Sequence, residues 1–242
     1  AQSENNRLAI EWFRQALAKT LRQVESDFAS YRISEAFMNL YKLFWDDFSG
    51  LYLEMVKPAY GQPIDAATLE ATKGYFDALM RVLHPFMPFV TEEIWQDLAP
   101  RKAGESIMVQ RMPEAREIDE ALLGRFELTK EVVTAVRNVR KQKNIPQKDP
   151  LTLRVIADEN YPAEYAPVLQ KMANLSQIVP VTEKDPTAAA FLVKTTQYFV
   201  PMAGRIDAEA ERAKLQHDLE YYEGFLASVM KKLSNERFVQ SA

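Results

Sequence analysis

Hydrophobic residues recur at helical spacing through the first half of the chain. Ile10, Phe13, Leu17, Leu21, Val24 and Phe28 mark one face of a first helix, closed by the polar break Ala29-Ser30-Tyr31-Arg32. A second helix is expected from Ser34, a natural N-cap, to Pro58, with Phe37, Leu40, Tyr41, Phe44, Phe48, Leu51, Tyr52 and Met55 as its stripe. Tyr60-Gly61-Gln62-Pro63 reads as a turn, and Asp65 caps a third helix that buries Leu69, Phe76, Leu79 and Leu83. That helix ends near His84-Pro85, because the residue before a proline is pushed out of the helical region. Pro88 can occupy the first turn of a fourth helix reaching Leu98, with Glu92 and Glu93 near the positive end of its dipole. After the loop from Pro100 to Gly104, Ile107-Met108-Val109 reads as a short extended piece. A fifth helix over 119–143 turns Leu122, Phe126, Val133 and Val136 inward.

The period then changes. Leu151 to Ala157 alternates and is rich in β-branched residues, which predicts a strand. A short helix over 162–173, a strand over 176–181 and strand-like sequence over 191–202, broken near Lys194-Thr195-Thr196, complete a small α+β unit. Gly204 releases the chain into a last helix with Asp207 near its start. Leu215, Leu219, Tyr222, Leu226, Val229 and Leu233 form its seam, spaced alternately by four and three residues. Such a heptad seam suits left-handed winding against one other helix. It reads as half of a helical hairpin or, equally, as an amphipathic helix docked on the body. The fold expected is mainly α: an antiparallel helical bundle (1–143), an α+β subdomain (144–203) and a long heptad helix (204–242).

Composition excludes more than it proposes. The chain has 242 residues, a net charge of −4 and no cysteine, so disulfides, thiolate metal sites and cysteine nucleophiles are ruled out. No run resembles a signal peptide or a membrane span, and Ala1-Gln2-Ser3 lacks an initiator Met, as in a piece of a longer chain. No glycine-rich phosphate loop, nucleophile elbow or metal-binding helix motif is present. His84-Pro85-Phe86-Met87-Pro88-Phe89 reads as a corner between helices, with Phe86 and Phe89 plugging the core, and Trp95 as bundle core.

One stretch departs from the acidic balance. From Arg137 to Lys148 the chain carries Arg137, Arg140, Lys141, Lys143 and Lys148 without an acidic residue. Cations at a helix C-terminus complement its dipole, but this number exceeds what a cap needs, and phosphate oxygens are the natural partner for such a cluster.

Phe44-Trp45-Asp46-Asp47-Phe48 with Tyr52 to Pro58, then Leu83 to Trp95, resemble the anticodon-binding helical domain of class I aminoacyl-tRNA synthetases of the valine, isoleucine and leucine group. The valyl-type members are the most similar, through Val132 to Pro146, the α+β unit after it, and Ala203-Gly204-Arg205-Ile206-Asp207 leading to Lys232-Leu233-Ser234-Asn235-Glu236-Arg237. Isoleucyl-type members often end in a cysteine zinc module, for which no cysteine is present. The resemblance implies a cytoplasmic ATP-dependent (with Mg) ligase joining valine to tRNA(Val), whose catalytic and editing domains lie outside this chain. The chain itself then needs no cofactor and serves as its tRNA-binding part. Phosphate contacts are expected from Arg137, Arg140, Lys141, Lys143 and Lys148, and from Lys231, Lys232 and Asn235 on a coiled-coil arm. The alternatives are a helical module whose seam pairs with a neighbouring protein chain, or the equivalent region of an isoleucyl-type synthetase.

Overall fold

The computed structural model describes residues 1–202 and 208–234, with side chains of the last helix described at 216, 217, 219–230 and 234. Helix α1 (Glu4–Ala29) starts on Ser3, whose hydroxyl accepts from the Asn6 amide. Its face meets α2 (Ile33–Lys42), a π-helical stretch (Leu43–Tyr52) and α3 (Leu53–Val56), which form one continuous rod. The rod begins at Ile33 with no side-chain cap, so Ser34 does not cap it as expected. Gly50 suits the wide π turn, since a Cβ there would stand 3.3 Å from the Trp45 carbonyl oxygen. Helix α4 (Ala66–Leu83) begins where expected, on Asp65, which accepts from the Thr68 amide at 2.9 Å. Helix α5 (Pro88–Leu98) has the predicted bounds. Ile107–Val109 forms a 3₁₀ turn instead of an extended piece, initiated by the Ser106 side chain.

Helix α6 (Glu120–Gln142) runs antiparallel to α1. Lys19 pairs with Glu120 at 2.8 Å, and one helical stage further along Trp12 stacks on Phe126 at 4.1 Å. The N-terminal half of α6 packs into the bundle core with Phe13, Leu40, Tyr52 and Leu79. Its C-terminal half packs into a second core through Val132, Val136 and Val139. That core is closed by β1 (Leu151–Ile156), a 3₁₀ turn (Ala163–Tyr165), α7 (Ala166–Met172), β2 (Leu175–Pro180), β3 (Ala189–Val193) and β4 (Thr196–Val200). The sheet order is β2-β1-β4-β3, with β1 and β2 parallel and the other two pairs antiparallel. The expected break near Lys194 is the hairpin turn between β3 and β4, where Lys194 takes a positive φ and Asp158 accepts from the Thr195 and Thr196 hydroxyls. The fold is therefore mainly helical with one small sheet.

Helix α8 (Ala208–Leu233) follows. Among its described seam residues Leu219, Tyr222 and Leu226 are exposed and Val229 is half-buried, and Phe225 and Met230 beside them are exposed. This disagrees with docking on the body of the protein. The side chains of Leu215 and Leu233 lie outside the described residues.

Asp47 offers a pH handle within the bundle. It lines a cleft with Trp12, Glu127 and Lys130, and burial pushes its carboxyl up to about 6, against the opposing pull of Lys130 and with help from Glu127 and Asp46. The folded state thus holds this proton where the unfolded chain releases it. Through this group alone, stability falls as pH rises from the ordinary carboxylate range to about 6. Asp47→Asn should stabilise the fold at pH 7 by on the order of 1 kcal/mol and lose that advantage below about pH 4. Thermal melts of both proteins at the two pH values measure the difference; an equal effect at both would show that the proton on Asp47 is irrelevant.

Candidate nucleic-acid interface

Helix α6 turns a series of arginines onto backbone carbonyls of the α+β unit. Arg125 binds Glu164 through two parallel bonds of 2.7 and 2.9 Å and donates to the carbonyls of Glu159 and Tyr161. The bidentate bond holds the Glu164 carboxyl below its usual range. Three turns on, Arg137 donates to the Met172 carbonyl at 3.1 Å. From the opposite side Lys171 donates to the Lys57 carbonyl at 2.6 Å, capping the C-terminal end of α3, and burial lowers its pKa.

Arg140 is the extreme case. It is only 1% exposed, and its guanidinium donates to four carbonyls: Pro146 at 3.0 Å, Asp149 at 2.8 Å, Ala173 at 3.0 Å and Asn174 at 2.9 Å. The phosphate role expected for Arg140 is therefore corrected. A side chain enclosed by protein, with its fork committed to carbonyl oxygens, has no open face for an RNA phosphate. The sequence could not reveal this, because the acceptors sit up to 34 residues away.

The rest of the basic stretch divides by exposure. Lys141 and Lys148 are exposed and Lys143 is half-buried at the C-cap of α6. Arg137 is exposed although one of its nitrogens serves Met172. These four side chains surround the end of α6 and the turn after it. The backbones of Lys231 and Lys232 lie in α8, but their side chains, and all of Asn235, fall outside the described residues.

A second surface emerges from aromatic packing. Phe28 at the end of α1 lies 6.0 Å from Phe86, Phe86 lies 5.2 Å from Phe37, Phe37 lies 6.4 Å from Tyr41, and Tyr41 stacks parallel to Trp45 at 6.4 Å. Trp45 is 60% exposed, and Phe28 and Tyr41 are also open to solvent. Tyr31 and Phe89, both 89% exposed, stand at the two chain corners that flank this strip. Phe89 was expected to plug the core and does not. On α5 the buried residues are Thr91 and Trp95; Phe89, two positions before Thr91, points about 200° away from that face. The corner itself is structural, as read from sequence: His84 Nδ1 bonds the Thr91 hydroxyl at 2.8 Å, and that hydroxyl donates to the Met87 carbonyl. Trp95 is core as expected, donating to Asp77 at 2.7 Å beneath the Arg101 guanidinium.

The strip was missed because the expected stripe treated Phe37 and Tyr41 as inward. Available in the sequence, though, are two neighbouring rows at four-residue spacing, Leu40-Phe44-Phe48-Tyr52 and Phe37-Tyr41-Trp45. Only the first reaches the bundle centre. The antiparallel run of α1 and α6 sets the two candidate surfaces apart. From the Trp12–Phe126 stack, Phe28 lies about 24 Å along α1 and Arg140 about 21 Å along α6 in the other direction, so some 45 Å separate them.

Residues 11–157 match the family described as the anticodon-binding domain of tRNA ligase. This chain belongs to that family. The anticodon-binding match runs from within α1 through the rest of the bundle and the first strand of the sheet, and so includes both the aromatic strip and the basic turn. Among curated relatives, the chain is 57% identical over 242 residues to a valine–tRNA ligase of Parabacteroides distasonis, covering all of this chain and 28% of the relative. It is 45% identical over 241 residues to the valine–tRNA ligase of Christiangramia forsetii and 34% identical over 242 residues to that of Thermotoga maritima, again covering 28% of each. The chain thus spans a little over a quarter of the length of these relatives. Among the described residues no group of His, Asp and Glu is arranged to hold a metal ion, and no helix is long and apolar enough to cross a membrane.

Proposed function

We propose that this chain is a tRNA-binding part of a cytoplasmic valine–tRNA ligase, with tRNA(Val) as its RNA partner. ATP, with Mg, would drive activation of the amino acid at a catalytic domain outside these residues, where an editing domain would lie as well; the contribution of this chain is to hold and orient the RNA. The bundle (1–143), the α+β unit (144–203) and the helical arm (204–242) are its working parts.

The observation that carries this reading is the exposed aromatic strip ending at Trp45 and flanked by Tyr31 and Phe89. Unstacked loop bases are recognised by stacking on such rings and by hydrogen bonds to their edges. The basic turn, about 45 Å away along the helices, suits contact with the phosphates of the same RNA at a distance from its loop. Lys141, Lys143 and Lys148 are the phosphate contacts, with Arg137 beside them; Lys231, Lys232 and Asn235 would add contacts from the arm.

Filter binding of a valine-accepting tRNA transcript to the wild type and to a Trp45→Ala, Phe89→Ala variant tests the loop contact. Each lost stack should weaken binding by about 1–3 kcal/mol with the salt dependence unchanged. Equal affinity of the two proteins would remove the strip from the interface.

The exposed α8 seam favours a helix–helix partner as well. Tyr222 and Leu226 would pack in a coiled coil against a helix beyond the described residues or in a neighbouring chain. Sedimentation at rising concentration separates these two, since only the neighbouring-chain case predicts a growing mass that Leu226→Gln abolishes.

A further inference from the structure

Two helices end against each other beneath the basic turn. Helix α6 closes on Asn144 and α7 on Asn174, both at positive φ (52° and 49°), the left-handed position that follows many helix ends. Each end leaves carbonyl groups without helical donors and carries the negative pole of a helix dipole. Arg140, in the last turn of α6, lies between the two ends and joins the turn after α6 to the end of α7. Its Nη1 serves the turn, at Pro146 and Asp149, and its Nη2 serves the end of α7, at Ala173 and Asn174. Asn174 repeats the connection from the other side, donating from Nδ2 to the Gln147 carbonyl at 2.8 Å while its own carbonyl accepts from the Leu151 amide at 3.1 Å. Ile145, buried, pins the near end of the turn and donates its amide to the Arg140 carbonyl at 2.8 Å. The turn from 143 to 150 is therefore held at Pro146, Gln147 and Asp149, the positions on either side of Lys148.

We infer that Arg140 and Asn174 are positioning residues for RNA: together they fix the turn that presents Lys148, beside Lys141 and Lys143, as a preset phosphate-binding array. The inference rests on the RNA-binding reading above. It assigns to the buried member of the basic stretch an indirect part in binding, through the shape of the turn. A lysine on a mobile turn would lose backbone freedom on meeting a phosphate, whereas one on a turn already held by three side-chain bonds would not.

The test uses the whole 242-residue chain and a transcript of a valine-accepting tRNA, with filter binding over a series of salt concentrations. Asn174→Gly is the probe of choice, because glycine keeps the positive φ and removes only the bond to Gln147. Arg140→Lys is a second probe, loosening the other anchor while keeping a buried cation. Melting curves confirm that each variant is folded at the assay temperature. In the native background Lys148→Ala should lower the salt slope by about one. In the Asn174→Gly background, which should itself bind more weakly, the same substitution should change almost nothing, because the lysine is no longer held in place. Arg140→Lys should give the same non-additivity. A purely structural role would shift melting without coupling these slopes. If Lys148→Ala lowers the slope equally in all backgrounds, or if Asn174→Gly binds like the wild type, the positioning role is overturned while the basic turn keeps its part in binding. If Lys148→Ala has no effect in any background, Lys148 is not a phosphate contact and the positioning role falls, while the RNA-binding reading stands or falls with the aromatic strip.

Discussion

Arg140→Ala is expected to destabilise the fold by about 3–5 kcal/mol, read as a fall in the urea midpoint at unchanged slope. The truncation strips a charged donor from four carbonyls at once. Buried acceptors cost the full desolvation of each group when their donor disappears, and the site becomes a cavity between α6, α7 and the turn. The loss should centre on the second core, where Val136 and Val139 of α6 meet the sheet. Arg140→Lys should recover part of the stability, since an ammonium offers three donors but lacks the planar fork that reaches two pairs of carbonyls. A loss below about 1 kcal/mol for Arg140→Ala would mean that water replaces the guanidinium without penalty. Reversing Arg140 to Glu would test only folding, because it sets a carboxylate among those carbonyl oxygens.

Reversal of the three lysines of the basic turn should have the largest effect on RNA binding. Lys141→Glu, Lys143→Glu and Lys148→Glu together should lower the salt slope by about three and weaken tRNA binding by about two orders of magnitude at 50 mM salt, with the gap narrowing as salt rises. Lys141 and Lys148 lie on the exposed surface, so reversing them should leave the fold unchanged, whereas Lys143 is half-buried at the C-cap of α6, and a urea melt of the triple variant separates lost stability from lost binding. The expectation differs in kind from that for the aromatic strip. Lysine loss changes the salt slope, whereas loss of Trp45 or Phe89 changes affinity at every salt concentration alike. Unchanged affinity and slope in the triple variant would leave the basic turn without a part in binding.

The local elements were legible in the sequence wherever a short-range rule governs them. Asp65 caps α4 through a bond to an amide three residues on, Pro88 opens α5, and the alternation of Leu151, Leu153 and Val155 forms β1 with all three buried. Strand pairing was less visible. The apolar run after Ala189 showed strand character and a break at Lys194, but the antiparallel placement of β4 between β1 and β3 depends on contacts more than 40 residues apart. The π stretch was invisible, since Leu43 to Tyr52 has the same apolar spacing as an ordinary helix.

For the candidate site, the sequence by itself determined where positive charge is concentrated, and its family likeness agreed with the match to anticodon-binding domains. Charge is a property of side chains, and a run of them survives any fold. Which cations meet solvent was decided only by the tertiary structure. Arg137 and Arg140 lie three residues apart on one helix, yet the first stays at the surface and the second disappears into carbonyls from α7 and the turn. The aromatic strip shows the same division: the rings are written in the sequence, but α1 and the α4–α5 corner bring Phe28, Phe86 and Phe37 together. Helical periodicity specifies a face within one element, while burial depends on which other element covers that face, and that information belongs to no single stretch of chain.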